Sequence, residues 1–416
     1  MHKSVMYFKF VQFIYFNGNF TMSDKHSIWR YTMPIALLLM APFDLLASLA
    51  MDIYLPVVPA MPDVFNTSPS VIQLTLSLYL LALGLGQVLF GPLSDRIGRR
   101  PVLLGGATFF VIASVGIATS TSSSVFVAFR LIQALGASAA LVTTFATVRD
   151  VYSDRPESAV IYSLFSSMLA CVPALAPILG AFLADGFGWR AIFWFLALVA
   201  VLPLLHAAFR WHETRMSDVS GGLSVIPILV SGKFWLYTFA FGTAMGTFFV
   251  FFSTAPRVLI GKAGYSELQF SFAFSTVALV MIVTTGFAKR FVGKWGIAGS
   301  VWRGMALLVF GAAILAVTWT IGEPSFATFV LPMWVMAVGM IFIASVTANG
   351  ALADFNDRAG SAVAIYFCGQ SVIVSFFGTA AVVGMGGDTA WPLVTFPFIF
   401  AGTVLIAMRV FPAWSR

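Results

Sequence analysis

Long apolar runs, broken at short intervals by Gly, Pro and charge, make up most of the chain. They predict helices near 34–59, 71–93, 101–120, 124–148, 157–183, 189–209, 233–255, 270–289, 304–322, 326–348, 359–385 and 389–412. Each approaches the roughly 20 apolar residues that a helix needs to cross a bilayer core. Within hydrocarbon every backbone polar group must be satisfied internally, so runs of this length are read as spanning helices. The longest stretch lacking an apolar run, 210–232, falls midway and contains Trp211-His212-Glu213-Thr214-Arg215 and Gly221-Gly222. It divides twelve predicted spans into six plus six. The spacing of Gly91 and Gly98 followed by Arg99 recurs as Gly286 and Gly293 followed by Lys294, which supports duplicated halves.

Composition narrows the class. Of 416 residues 60% are hydrophobic and only 9% are charged, against about 25% charged in an average soluble protein. A soluble enzyme, a disordered chain and a secreted disulfide scaffold are thereby excluded. The two cysteines, Cys171 and Cys368, lie in separate apolar runs and read as small core residues.

Charge position is more informative than net charge. With the N-terminus inside, 19 of the 23 Lys and Arg fall in segments on the cytoplasmic side. Arg190, Arg257 and Lys262 fall outside, and Arg130 stands alone within a span. This is the positive-inside pattern, and it predicts both termini in the cytoplasm. The expected organisation is a tail over 1–33, a six-helix half over 34–209, a cytoplasmic loop over 210–232, a second six-helix half over 233–412 and a tail over 413–416. The apolar run Phe8 to Phe16 is too short to span, and the polar run Met22-Ser23-Asp24-Lys25 suits the start of a first span, so translation is expected to begin at Met22.

Charges inside a span are costly and mark functional candidates. Three qualify: Asp44 and Asp52 in the first predicted helix, and Arg130 in the fourth. Asp52 lies eight residues beyond Asp44, roughly 12 Å higher and about 80° around the helix. Arg130 lies roughly 9 Å below the outer surface, at the level of Asp52. Depth therefore pairs Arg130 with Asp52 and leaves Asp44 as an unpaired carboxyl facing a central cavity. Helix tilt could instead hand Arg130 to Asp44. An unpaired carboxyl in a low-dielectric cavity can exchange a proton near physiological pH, which makes Asp44 the expected proton carrier.

The run Gly91-Pro92-Leu93-Ser94-Asp95-Arg96-Ile97-Gly98-Arg99-Arg100 resembles the signature loop between helices 2 and 3 of the major facilitator superfamily, Gly-x-Leu-x-Asp-Arg-x-Gly-Arg-Arg. The resemblance implies twelve helices in two six-helix halves. It also implies a latch in which Asp95 docks on helix 11 near Ala359-Gly360-Ser361, completed by Arg149 and Asp150. Arg130-Leu131-Ile132-Gln133-Ala134-Leu135-Gly136 resembles the family's helix 4 motif Arg-x-x-Gln-Gly-x-Gly, whose Arg is implicated in proton coupling. Pro173-Ala174-Leu175-Ala176-Pro177-Ile178-Leu179-Gly180 resembles the Gly-Pro-x-x-Gly-Gly antiporter motif, with Ala176 and Ala181 where the pattern has Gly.

Over roughly 22–412 the chain is similar to the twelve-span drug:proton antiporters that export phenicol antibiotics, chloramphenicol and florfenicol. That likeness rests on the runs Ala41 to Pro56, Phe145 to Tyr152 and Phe248 to Ser253. It implies a bacterial inner-membrane exporter, not an enzyme, whose partners are a small-molecule drug, protons and the lipid bilayer. Nucleic acid is not expected, and a monomer is. Tyr54, Tyr79, Gln87, Phe248, Phe249, Asn349 and Gln370 are candidate cavity walls for a neutral, moderately apolar drug. No Gly-x-x-x-x-Gly-Lys-Ser/Thr run occurs, so no ATP motor is expected. His2, His26, His206 and His212 form no metal-spaced cluster, so an ion gradient remains as the energy source, and the resemblance implies protons as the coupling ion with no other cofactor.

Overall fold

The computed structural model describes residues 33–152, 157–215, 225–355 and 359–412. The Met22 start, Arg155, Gly221-Gly222, Arg358 and the tail over 413–416 lie outside the described residues. Among the described residues there is no strand, and twelve long helices carry the fold. In the first half these are α1 (Met33–Asp52), α2 (Pro69–Ile97), α3 (Arg99–Ala118), α4 (Ser123–Tyr152), α5 (Glu157–Phe187) and α6 (Arg190–Arg210).

The second half begins with α7 (Gly232–Pro256). A continuous helical run, Glu267–Ile321, is broken at Gly296 into α8 (267–295) and α9 (297–321). Three helices follow: α10 (Leu331–Leu352), α11 (359–385, with a π-helical turn at Val374–Gly378) and α12 (Trp391–Val410). The side bearing the α2–α3 turn is called here the basic side, and the opposite one the far side.

The first helix is shorter than the apolar run predicts. It stops at Asp52, and the chain continues as a 3-10 turn, Leu55–Ala60, and a short helix, Met61–Val64. Pro56, Pro59 and Pro62 explain the change, since each removes an N–H that an α-helix would use. Elsewhere helices outrun the hydrophobic stretches: α2 extends to Ile97 through Ser94, Asp95 and Arg96. Polar residues at a span end stay helical where they project beyond the hydrocarbon.

The internal repeat is real in geometry but shifted from the spacing read in the sequence. Gly98, at the α2–α3 turn, has φ +108°, and its counterpart at the α8–α9 turn is Gly296, φ +68°, three residues after Gly293. The same register links two close helix crossings. Gly106 and Gly136 bring the α3 and α4 backbones together, and Gly304 and Gly339 do the same for α9 and α10. In both pairs a Cβ would run into the partner glycine's carbonyl oxygen, so only hydrogen fits.

The halves meet along α2 with α11 and α5 with α8. Among the described residues five hydrogen bonds cross between them, all in the far half of the membrane. Gln73 Nε2 donates to Ser253 Oγ at 2.9 Å, Ser271 Oγ to the Pro177 carbonyl at 3.0 Å, and Arg257 Nη2 to the Pro69 carbonyl at 2.8 Å. Thr379 donates to Ser77, and Ser275 to the Ala174 carbonyl. The described conformation is sealed on the far side.

Candidate functional site

The three membrane charges are buried, yet they do not pair. Arg130, 1% exposed, places Nη1 2.7 Å from Gln133 Oε1 and 3.1 Å from the Ala50 carbonyl. Its guanidinium lies over the rings of Tyr79 (4.4 Å) and Tyr54 (5.2 Å), and Nε and Nη2 have no hydrogen-bond acceptor. The polar chain continues from Gln133 Nε2 to Ser114 Oγ (2.8 Å) and from Ser114 to the Phe110 carbonyl (2.7 Å). Tyr79 Oη donates to the Ala47 carbonyl at 2.9 Å. Arg130 thus ties α4 to α1, α2 and α3 through amides and aromatic faces, a cation–π arrangement that favours the flat guanidinium over an ammonium.

The expected Arg130–Asp52 ion pair is absent, although the depth assignment is right. Arg130 touches α1 at Ala50 and Tyr54, the level of Asp52. The error is rotational. At 100° per residue Ala47 and Ala50 of α1 fall within about 60° of one another, and Asp52 lies roughly 170° from their mean direction. Asp44, roughly 90° from the same face, does not reach Arg130 either. Asp44 is 2% exposed, forms no ion pair, and its Oδ2 has no hydrogen-bond partner. Asp52 is 6% exposed and likewise forms no ion pair. The site therefore holds two carboxyls in α1, both without a cation partner among the described residues.

On the basic side Arg99 is the hub. Its Nη1 lies 2.5 Å from Asp95 Oδ1 and 2.7 Å from Ser94 Oγ, and its Nε lies 2.8 Å from Asp150 Oδ2. Arg149 reaches the other Asp150 oxygen at 3.6 Å. Asp95 thus pairs with Arg99; its expected docking at the start of helix 11 involves Ala359 and Gly360, whose side chains lie outside the described residues. Arg96 offers its carbonyl to Arg215, and Arg100 Nη2 donates to the Ala208 carbonyl at 2.7 Å. Gly91 lies in α2, where an added Cβ would come 4.0 Å from Val142 on α4.

The sequence reading missed Glu213. Its carboxylate accepts from the backbone N–H of Arg99 (2.8 Å) and Arg100 (3.2 Å), and from those of Thr214 and Arg215 (3.0 Å each). It caps the positive end of α3 and fastens the central loop to the latch. Gly98 clears room for it, since a Cβ there would strike the Glu213 carboxylate. The available signal was an acid placed just after a helix end, opposite a basic turn. Gln73 and Arg257, which close the far side, were also missed.

In α5, Pro177 lacks the N–H that would bond the Pro173 carbonyl, and the helix is instead held from outside by Ser271 and Ser275 of α8. Gly180 sits on the Ile53 carbonyl so closely that no side chain fits. Among the proposed cavity walls, Tyr54 and Tyr79 are fully buried under Arg130, and Phe249 is sealed against Gly378 of α11. These three are packing residues in this conformation. Phe248, Gln87, Asn349 and Gln370 keep accessible surface, and Phe248 packs on Phe252 and Phe274. Among the described residues no group of His, Cys, Asp and Glu could hold a metal ion.

Comparison with known proteins agrees with this geometry. The chain is 48% identical over 388 residues to a chloramphenicol resistance protein of Pseudomonas aeruginosa, covering 92% of each. It is 28% identical over 381 residues to the multidrug resistance protein MdtL of Shigella flexneri, covering 89% of this chain and 94% of that one. A bacterial homologue of the human lysosomal transporter Spinster, solved inward-facing and unoccupied, superposes with a TM-score of 0.74 at 14% identity, over 94% of this chain and 99% of that one. A D-xylose–proton symporter gives 0.70 at 18%, over 91% and 97%. Residues 40–379 match the profile of the Major Facilitator Superfamily, and the chain belongs to that family of multi-pass membrane transporters.

Proposed function

We propose that this transporter exports phenicol antibiotics, chloramphenicol and florfenicol, from the bacterial cytoplasm across the inner membrane in exchange for protons. The observation that carries the substrate is the 48% identity, over 92% of both chains, to a chloramphenicol resistance protein. The split of 19 basic residues to three supports placing the basic side and both termini in the cytoplasm. On that orientation the far side is external, and the five bonds between the halves are the external closure that must break for drug to leave.

Asp44 is the proposed proton carrier, with Asp52 a second carboxyl at the level of Arg130. Arg130 holds the α1–α4 contact and supplies a fixed positive field to that site. Coupling requires that protonation and drug binding favour different states of the closure. When the basic side closes, Asp95 is proposed to exchange its Arg99 contact for the start of α11. The chain is proposed to act as a monomer.

The test is expression in a drug-sensitive bacterium, with inhibitory concentrations of chloramphenicol, florfenicol and a cationic dye measured with and without an uncoupler. Resistance to both phenicols that collapses with the uncoupler is expected. Resistance unaffected by the uncoupler would refute proton coupling, and sensitivity to both phenicols would refute the substrate.

A further inference from the structure

We propose that the α8–α9 turn binds the headgroup of an anionic phospholipid in the leaflet on the basic side. This goes beyond transport and does not depend on which drug is carried. Val283, Phe287, Arg290, Phe291 and Lys294 fall within about 100° of one another on α8. The three apolar members are exposed, Phe287 at 59% and Val283 at 51%. On α9, Trp302, Arg303, Phe310 and Val317 share a face of similar width, with Phe310 at 59% and Trp302 at 53% exposed. Exposed apolar stripes on spanning helices contact acyl chains. Both stripes end, at the basic side, in cations.

Those cations have no carboxylate to answer them. No Asp or Glu occurs between Glu267 and Glu323. Among the described residues Arg290, Lys294 and Arg303 form no ion pair, whereas at the α2–α3 turn Asp95, Asp150 and Glu213 engage the arginines. The turn is also prearranged. Arg303 stacks on Trp295 at 4.8 Å and donates to the Gly299 carbonyl at 3.0 Å. Trp295 is itself wedged between Phe291 (5.0 Å) and Phe342 (5.1 Å). Gly296, with φ +68°, turns the chain into α9 so that Arg303 comes back onto Trp295, the residue after Lys294. Tryptophan at headgroup depth and cations beyond it are the chemistry that receives a lipid phosphate.

The test titrates the full-length chain in detergent with phosphatidylglycerol or phosphatidylcholine and counts retained lipid by native mass spectrometry. Each cation near a membrane surface favours anionic lipid by about fivefold. The wild type should therefore retain phosphatidylglycerol over phosphatidylcholine by about tenfold or more, and R290Q/K294Q/R303Q should bring the ratio near unity. R290K/K294R should keep the preference, which separates charge from folding. K289Q, an exposed cation pointing away from the stripe, should leave it unchanged. Equal retention of the two lipids by the wild type, a preference surviving in the triple glutamine variant, or equal loss in K289Q would each overturn the proposal. Displacement of the lipid by millimolar inorganic phosphate would identify a free-anion site and refute the lipid assignment.

Discussion

Replacing Glu213 with Ala removes one acceptor shared by four backbone donors. Two of them, the N–H groups of Arg99 and Arg100, are the first of α3 and have no partner within that helix. A side chain capping a helix N-terminus contributes about 0.5–2 kcal/mol, and a negative charge there adds about 0.3–1 kcal/mol. The carboxylate is exposed, so solvent screening keeps the total to about 1–2 kcal/mol. Partial burial acts to raise the Glu213 pKa, but the four N–H donors outweigh it and hold the carboxyl below the ordinary glutamate range. The folded value being the lower one, the stabilisation is complete above the unfolded value of about 4.3 and disappears as pH falls through the folded value. Thermal unfolding in detergent of the wild type, Glu213→Gln and Glu213→Ala should show a gap at neutral pH that closes in acid. A gap that persists undiminished below the carboxylate range, or a Glu213→Ala variant as stable as the wild type at pH 7, would refute the anchoring role.

Asp44→Asn is expected to abolish drug resistance with the protein still in the membrane, and full resistance would remove Asp44 from proton transfer. Exchanging Asp52 and Arg130 should not restore activity lost in Arg130→Ala, because the two side chains point apart; rescue by the exchange would show that they pair during transport. Gly180→Ala drives a Cβ into the Ile53 carbonyl and should lower stability by about 1–3 kcal/mol, whereas Gly186→Ala, with open space around it, should be near neutral in the same melting experiment. Arg257→Ala removes a charge-assisted bond across the halves, worth about 1.5 kcal/mol and so about tenfold in the closed-to-open ratio. Alkylation of a cysteine placed at buried Thr254 should accelerate accordingly; an unchanged rate would mean that Arg257 does not hold the far side shut.

What the sequence made legible was whatever depends on counting along the chain. Span number follows from a bilayer's demand for apolar length, and the two spans expected near 270–289 and 304–322 are the helices that Gly296, φ +68°, separates. The depth of Arg130 relative to Asp52 is also a count, and it agrees with the contacts. Rotation is different. Which face of α1 meets α4 is set by packing against neighbouring helices, and a span hydrophobic nearly all round carries little periodic signal to reveal it. Reading Ala47 and Ala50 as a small-residue face would have turned α1 correctly, since small residues admit a neighbour's backbone or a bulky arginine. Glu213 escaped for a related reason: the α3 partners it caps are backbone N–H groups more than a hundred residues away, and backbone donors leave no mark in a sequence.

The chemistry of the two sides differs in a way that suits a switch. The far-side closure consists of neutral hydroxyl, amide and carbonyl partners, with Arg257 as its one charged member among the described residues. Net contributions of about 0.5–1.5 kcal/mol per bond put the whole closure at only a few kcal/mol. Among the described residues each basic-side ion pair lies within one half: Arg99, Asp95, Asp150 and Arg149 hold α2, α3 and α4 together, and Lys233 with Asp354 joins α7 to the end of α10, so none opposes separation of the halves. For both states to be populated, contacts formed when the basic side shuts must supply a similar few kcal/mol. Asp95 moving onto the start of α11 is of the right size, because one charge-assisted contact at a helix N-terminus is worth about 1–2 kcal/mol. An ion-pair network across the far side would instead bias the equilibrium further than one proton and one drug molecule could reverse.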